Sequence, residues 1–166
     1  MSSAITRGLG PSSAAMLRGV ARARCGSNRR GSHSHSWQSR KNVLLRYFTI
    51  ADTVSSRLAT EDVEVGGASI KAGEGVIVST LSANWDPAAF KNPAELDVER
   101  GARHHLAFGF GPHQCLGQNL ARMELQIVFD TLFRRIPTLR LAAPAEDLPF
   151  KNDAVIYGVH ELPVTW

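Results

Sequence analysis

Between Gly109 and Gly117, three glycines surround a single cysteine, Cys115, in the run FGFGPHQCLGQNLAR. A buried lone thiol is a small hydrophobe, whereas a thiolate is a nucleophile or a metal ligand. The residues that follow favour the second form. Leu116, Leu120, Met123 and Ile127 recur at three- and four-residue spacing and predict a helix over residues 116–136, stopped by Pro137. Cys115 then stands at the amino end of that helix, where unbonded N–H groups and the positive end of the dipole stabilise a negative sulfur. Gly109 and Gly111 lack a Cβ, so the backbone there can bend sharply and approach a flat ligand. Gly117 allows the first helical turn the same close approach.

The pattern F-G-x-G-x-H-x-C-x-G-x-x-L-A-R is met in full by Phe108, Gly109, Gly111, His113, Cys115, Gly117, Leu120, Ala121 and Arg122. It resembles the haem-binding signature of the cytochrome P-450 family. The wording around the cysteine is similar to that of soluble bacterial members, those of actinomycetes in particular, and the resemblance extends over residues 43–166. It implies the C-terminal, proximal haem-ligand part of that family's mixed α+β fold. It also implies a haem-thiolate monooxygenase that binds haem b (iron protoporphyrin IX) through Cys115. Such an enzyme oxidises a small apolar organic substrate with O2, takes electrons from a ferredoxin or flavoprotein, and is cytoplasmic. A thiolate on haem iron pushes electron density toward oxygen and favours O–O cleavage.

By the same resemblance, Arg57 and His113 donate to the two haem propionates, a pairing that suits guanidinium and imidazole facing carboxylates. Phe108 packs against the porphyrin near the sulfur, and Gly109, Gly111, Gly117 and Ala121 complete the cofactor contacts. Ile50 and Val155 are candidates for touching substrate. Arg103 and Arg122 suit either a basic proximal face for an acidic redox partner or plain solvated charges.

Two departures from the family pattern bear on what the site is worth. The family pairs Arg46 with a glutamate one helical turn earlier, and an arginine matched by Arg100 locks that helix to the following meander. Val43 stands at the glutamate position and cannot pair ionically with either arginine. The family's distal pocket uses a long helix with an A/G-G-x-D/E-T run, which occurs nowhere in this sequence. The alternative reading is therefore a truncated, non-catalytic fragment lacking the oxygen-activating helix, with apolar faces left uncovered. A haem-binding module closed by another chain is a third reading.

The elements that must position the cysteine loop come from the surrounding texture. VLLRYFTI reads as the end of an apolar helix passing into extended chain. DVEVGGASI reads as strand, turn, strand, with Gly66 and Gly67 supplying positive φ for a tight hairpin. KAGEG is a second turn, and VIVST, β-branched and apolar, suits a buried strand. Pro87 and Pro93 punctuate an irregular connection. AVIYGV and the terminal ELPVTW read as a strand pair.

Composition separates residues 1–42 from the rest. The 166 residues carry 19 Lys and Arg against 15 Asp and Glu, and are 43% hydrophobic, enough for a core. Eight of the basic residues and none of the acidic ones lie within residues 1–42, so the remainder is net −4. Global basicity is thus no argument that the folded part binds nucleic acid. The leader, rich in Ser, Gly, Ala and Arg, reads as disordered. It resembles a transit peptide, a basic tail, or translated out-of-frame sequence fused at about Val43, where the family match fails. A basic tail for nucleic acid lacks stacking aromatics, having only Trp37. The pair His33 and His35 is too small a ligand set for a metal, and Cys25 and Cys115 imply no disulfide framework. No stretch is long and apolar enough to span a membrane.

Overall fold

The computed structural model of the chain describes residues 33–52 and 55–166. Most of the leader, residues 1–32 with Cys25, lies outside them. Helix α1, His33–Phe48, supplies the inner wall of the fold: Val43, Arg46 and Tyr47 are all buried. It ends without a glycine. Thr49 takes a left-handed φ of 36°, and its Oγ1 donates back to the Arg46 carbonyl at 2.7 Å. The helix includes residues 33–42, which composition assigned to a disordered leader. Once a packed turn at residues 43–48 has formed, each preceding residue adds one backbone bond, so the helix propagates backward. Contacts to other segments then hold it: Arg40 Nη2 pairs with Glu99 at 2.6 Å and Lys41 Nζ donates to Gln126 Oε1 at 3.2 Å.

Two nested antiparallel ribbons follow. Strand β1, Ser55–Leu58, pairs with β4, Gly75–Val78, in the register Ser55 to Val78 and Leu58 to Gly75. Between them lies the expected hairpin of β2, Val63–Val65, and β3, Ala68–Ile70, turned by Gly66 and Gly67 at φ 57° and 81°. Both values lie in the region where only glycine is unstrained. The expectation that VIVST is a buried strand fails. β4 pairs with β1 alone, and Ile77 and Val78 are exposed.

Helix α2, Thr80–Asn84, is capped twice, by Ser79 accepting from the Ser82 N–H and by Asp52 accepting from the Leu81 N–H at 2.9 Å. The irregular connection then leads through a 3-10 turn, Gly111–His113, into helix α3, Gln118–Arg135. α3 starts two residues later than the periodicity predicts and packs against α1. The predicted core face does not find a core. Leu116, Leu120, Met123 and Ile127 are all more than half exposed, Leu116 completely.

The C-terminal strand pair is also different. β6, Val164–Thr165, pairs with β5, Arg140–Leu141, while residues 154–159 make only two isolated bridges, Ala51 to Ile156 and Phe150 to Val159. The reason is local. The Lys151 N–H bonds the Gly158 carbonyl at 2.9 Å, folding that segment back on residues 150–151, and the Pro163 carbonyl takes the Ala142 N–H at 2.9 Å. The core that remains is small and rich in polar side chains: Val43, Tyr47, Ala102 and Leu148 with Arg46, Thr49, Thr80, Asn84 and His105.

Candidate functional site

Cys115 is tied back to the loop through its amide. Its N–H donates to the Phe108 carbonyl at 2.9 Å, closing the loop between the connection and α3. Gly109 and Gly111 turn the chain inside that loop at φ 72° and 80°, where a side chain would be strained. Pro112 is the second residue of the 3-10 turn, and the Gln114 N–H closes it on the Gly111 carbonyl at 3.0 Å. The Cys115 carbonyl then accepts the Gln118 N–H at 3.3 Å as α3 begins, and the Ala121 N–H bonds the Gly117 carbonyl at 2.9 Å. Gly117 caps the helix with no side chain of its own, so the first-turn amides keep no side-chain partner.

The surface around the sulfur fits a flat ligand. Cys115 is exposed and its thiol is free. A Cβ built on Gly109 or Gly111 would meet nothing within 4 Å, and one on Gly117 would meet only the Cys115 Sγ, at 3.8 Å. These glycines therefore leave room that no part of the described chain fills. Among the described residues no group of three or more His, Cys, Asp or Glu side chains could hold a metal ion. A lone thiolate suits a metal whose other positions come from a macrocycle.

Behind the loop lies a polar cluster that sequence reasoning missed in part. Arg122, on the second turn of α3, bonds the Asn42 Oδ1 of α1 and approaches His105 Nε2 at 3.2 Å. Its guanidinium lies 5.0 Å from the centre of the Phe108 ring. Burial lowers its affinity for the proton. Arg122 thus faces inward, so the expectation of a solvated charge or a partner-facing one is corrected; Arg103 is the exposed one of the two. His105 is buried, and burial first, then the Arg122 and Arg46 cations, push its pKa down to about 4. His105 stands three residues before Phe108, a spacing that carries no signal unless α1 and α3 are known to close over it.

A second hub joins α1, α2 and the connection. Arg46 donates to the carbonyls of Asn84 at 2.8 Å and Pro93 at 3.1 Å. Burial, and next the Arg100 cation, lower its pKa. Arg100 binds Glu95 at 3.2 Å and the Asn92 carbonyl at 3.0 Å, holding the connection and not α1.

The other expected site residues are less gathered. His113 is exposed at the end of the 3-10 turn. Arg57 is exposed on β1 and donates to the Ser56 carbonyl at 2.9 Å, on a different segment from the cysteine loop. Ile50 and Val155 do come from adjoining segments. The Tyr157 N–H bonds the Ile50 carbonyl at 2.8 Å, and both apolar side chains are at least half exposed.

Comparison with known proteins agrees with the geometry. The family model "Cytochrome P450" matches residues 44–152. Cytochrome P450 105A3 of Streptomyces carbophilus is 58% identical over 123 residues, which are 74% of this chain and 30% of that protein. The 20-oxo-5-O-mycaminosyltylactone 23-monooxygenase of Streptomyces fradiae is 49% identical, over 74% of this chain and 29% of its own length. The crystal structure of cytochrome P450 MoxA from Nonomuraea recticatena superimposes with a TM-score of 0.77 at 82% identity, covering 80% of this chain and 33% of that one. The chain thus spans about a third of the length of the relatives it matches. Carrying their signature on a loop of matching fold, with Cys115 exposed at its centre, the chain belongs to the cytochrome P450 family.

Proposed function

We propose that residues 43–166 supply the proximal part of a haem-thiolate monooxygenase, in which Cys115 would hold the iron of haem b. The observation that carries this reading is the exposed Cys115 thiol, hung from the Phe108 carbonyl beside glycine surfaces that no protein atom fills. When bound, the haem supplies oxygen activation, which a thiolate ligand promotes. The protein's own residues bind and orient. Cys115 would hold the iron, and the open amides at the start of α3 would stabilise its negative charge. His113 and Arg57 would donate to the propionates. Phe108 would shield the sulfur once the haem is bound, and Gly109, Gly111, Gly117 and Ala121 would keep the approach clear. Ile50 and Val155 offer apolar contact to a small organic substrate. Relatives whose names specify hydroxylation, such as the vitamin D3 dihydroxylase of Streptomyces griseolus, 58% identical over 30% of its length, support that class. Exposed Arg103 favours an acidic ferredoxin or flavoprotein as electron donor. Among the described residues no helix is long and apolar enough to cross a membrane; the cytoplasmic location is carried by the family resemblance alone. Residues 1–42 we read as foreign to the family in sequence, with 33–42 joined to the fold as the backward extension of α1.

The decisive experiment is spectroscopic. Haem-reconstituted chain, reduced under carbon monoxide, is expected to show the red-shifted Soret band of thiolate-ligated iron, and Cys115→Ser is expected to abolish it. A chain that takes up no haem overturns the reading.

A second reading is a family fragment that does not catalyse. The uncovered stripe of Leu116, Leu120, Met123 and Ile127 favours it, since an apolar helix face of that length is normally packed. The two readings separate on one measurement. A catalytic chain oxidises substrate with consumption of O2 when given reduced ferredoxin; a fragment gives no turnover until the remaining two thirds of a family domain is added as a separate polypeptide.

A further inference from the structure

Arg122 is a half-buried cation that forms no ion pair with any described carboxylate. Its partners are an amide oxygen, a histidine ring and the face of a phenylalanine. Those three groups come from two segments that α3 must align: Asn42 from α1, and His105 with Phe108 from the connection. Phe108 is the residue whose carbonyl carries the Cys115 amide. Its ring also lies 6.0 Å from that of His105. The ring therefore has two mutually touching neighbours, Arg122 and His105, and the carbonyl of the same residue sets where the cysteine begins.

We propose that Arg122 is a positioning residue for the ligand loop, bracing Phe108 against α1 so that its carbonyl holds the Cys115 amide in one place. Arginine is suited to this and lysine is not. A planar guanidinium can present one nitrogen to Asn42 and another to His105 while its face covers an aromatic ring, whereas an ammonium is a point charge on a flexible stem. The buried, neutral His105 matters to the brace because a charged ring there would repel the guanidinium. The arrangement deepens the reading of Cys115 as iron ligand, yet it is a property of the polypeptide and is testable without haem.

The test is amide hydrogen exchange on the full chain, followed residue by residue by NMR. In Arg122→Met the Cys115 amide is expected to exchange about tenfold faster, as its acceptor loses one support. Arg122→Lys is expected to recover part of that protection. Asn42→Ala, which frees one end of the guanidinium, is expected to give about threefold. The Ala59 amide, bonded to the Glu74 carbonyl at 3.0 Å in the β1–β4 ribbon, serves as a control and is expected to keep its wild-type rate. An unchanged Cys115 amide in Arg122→Met overturns the proposal, and so does a rise shared equally with Ala59, which would mean general unfolding. If Arg122→Met does not fold, Arg122→Lys and Asn42→Ala are judged by the same ratio. In haem-loaded protein the red-shifted carbon monoxide band is expected to weaken in Arg122→Met and to return in part with lysine. Failure of the wild type to take up haem would sink the proposed function alone, since the exchange ratios still decide the role of Arg122.

Discussion

Arg46 Nη1 donates to the main-chain carbonyl of Asn84 at 2.8 Å, and the two residues are 1% and 0% exposed. This contact ties α1 to α2 at the centre of the small core. Asn84 completes the joint with its side chain, donating to Thr49 Oγ1 at 2.9 Å and accepting the Leu106 N–H at 2.7 Å. Arg46 is less well served. Its Nε is buried without a hydrogen-bond partner, and it forms no ion pair with a described carboxylate. A cation buried without a counter-charge is held against its desolvation cost by carbonyl dipoles and by the Tyr47 and Phe90 rings, 5.8 and 5.2 Å away.

Val43 lies one helical turn before Arg46 on the same buried face. Val43→Glu would place a carboxylate beside an uncompensated cation that is already desolvated. Removing one partner of a buried pair costs about 3–5 kcal/mol, so supplying the missing one is expected to stabilise by about 2 kcal/mol after desolvation of the new group. Urea unfolding monitored by far-UV circular dichroism should show a higher midpoint at an unchanged slope. A control, Val43→Gln, keeps the shape without the charge and should gain much less. A midpoint for Val43→Glu at or below that of the wild type contradicts the account.

Asn84→Ala removes two side-chain bonds at a fully buried position: the Leu106 N–H loses its acceptor, and the Thr49 hydroxyl keeps its bond to the Arg46 carbonyl alone. Each buried group left unsatisfied costs about 1–3 kcal/mol, so the loss should be about 3 kcal/mol. Asn84→Asp is the informative companion. It keeps the acceptor for Leu106 and adds a negative charge near Arg46, and it should be markedly less damaging than alanine. Equal damage from both would mean that the Arg46 charge is not felt at this position.

What was legible beforehand follows from the range of each interaction. The loop around Cys115 and the Gly66 and Gly67 hairpin are local: positive φ is a property of one residue and its neighbours, and glycine marks it. The departure at Val43 was also legible, because it lies one helical turn from Arg46. His105, Asn84 and the inward turn of Arg122 were not, because their surroundings are built by α1 crossing segments that are 38 to 80 residues distant. β5 and β6 are two residues long, too short for any alternation to appear. The stripe on α3 misled for the opposite reason. Its periodicity is that of a buried face, and nothing in the described chain covers it.

That stripe yields a prediction about association. Leu120, Met123 and Ile127 are each more than half exposed, so replacing all three by lysine removes little burial. Exposed substitutions of this kind change stability by about 0.5 kcal/mol or less each. The triple variant is expected to unfold at nearly the wild-type urea concentration, to bind less of a hydrophobic dye, and to scatter less light at high concentration. A large drop in its unfolding midpoint would mean that this face is packed in the isolated chain after all.

The buried His105 sets a pH limit on the fold. Burial, and next the cations of Arg122 and Arg46, take its pKa from 6.5 down to about 4. The unfolded ring therefore binds a proton as pH falls through 6.5, while the folded ring resists until about 4. Across that window the unfolded state holds more protons, so stability falls as pH falls. The contribution is whole above the upper value and lost at the lower one, amounting to about 3 kcal/mol at most. His105→Gln keeps a polar side chain that cannot take up this proton, and it should be less stable near neutrality yet lose less on acidification. Urea midpoints of the two proteins between neutrality and the lower limit are expected to converge. Parallel lines would assign the acid loss to other groups. Asp62 would not account for a loss in that window, because its carboxylate, held low chiefly by the Lys71 hydrogen bond, loses its stabilising effect only at still lower pH.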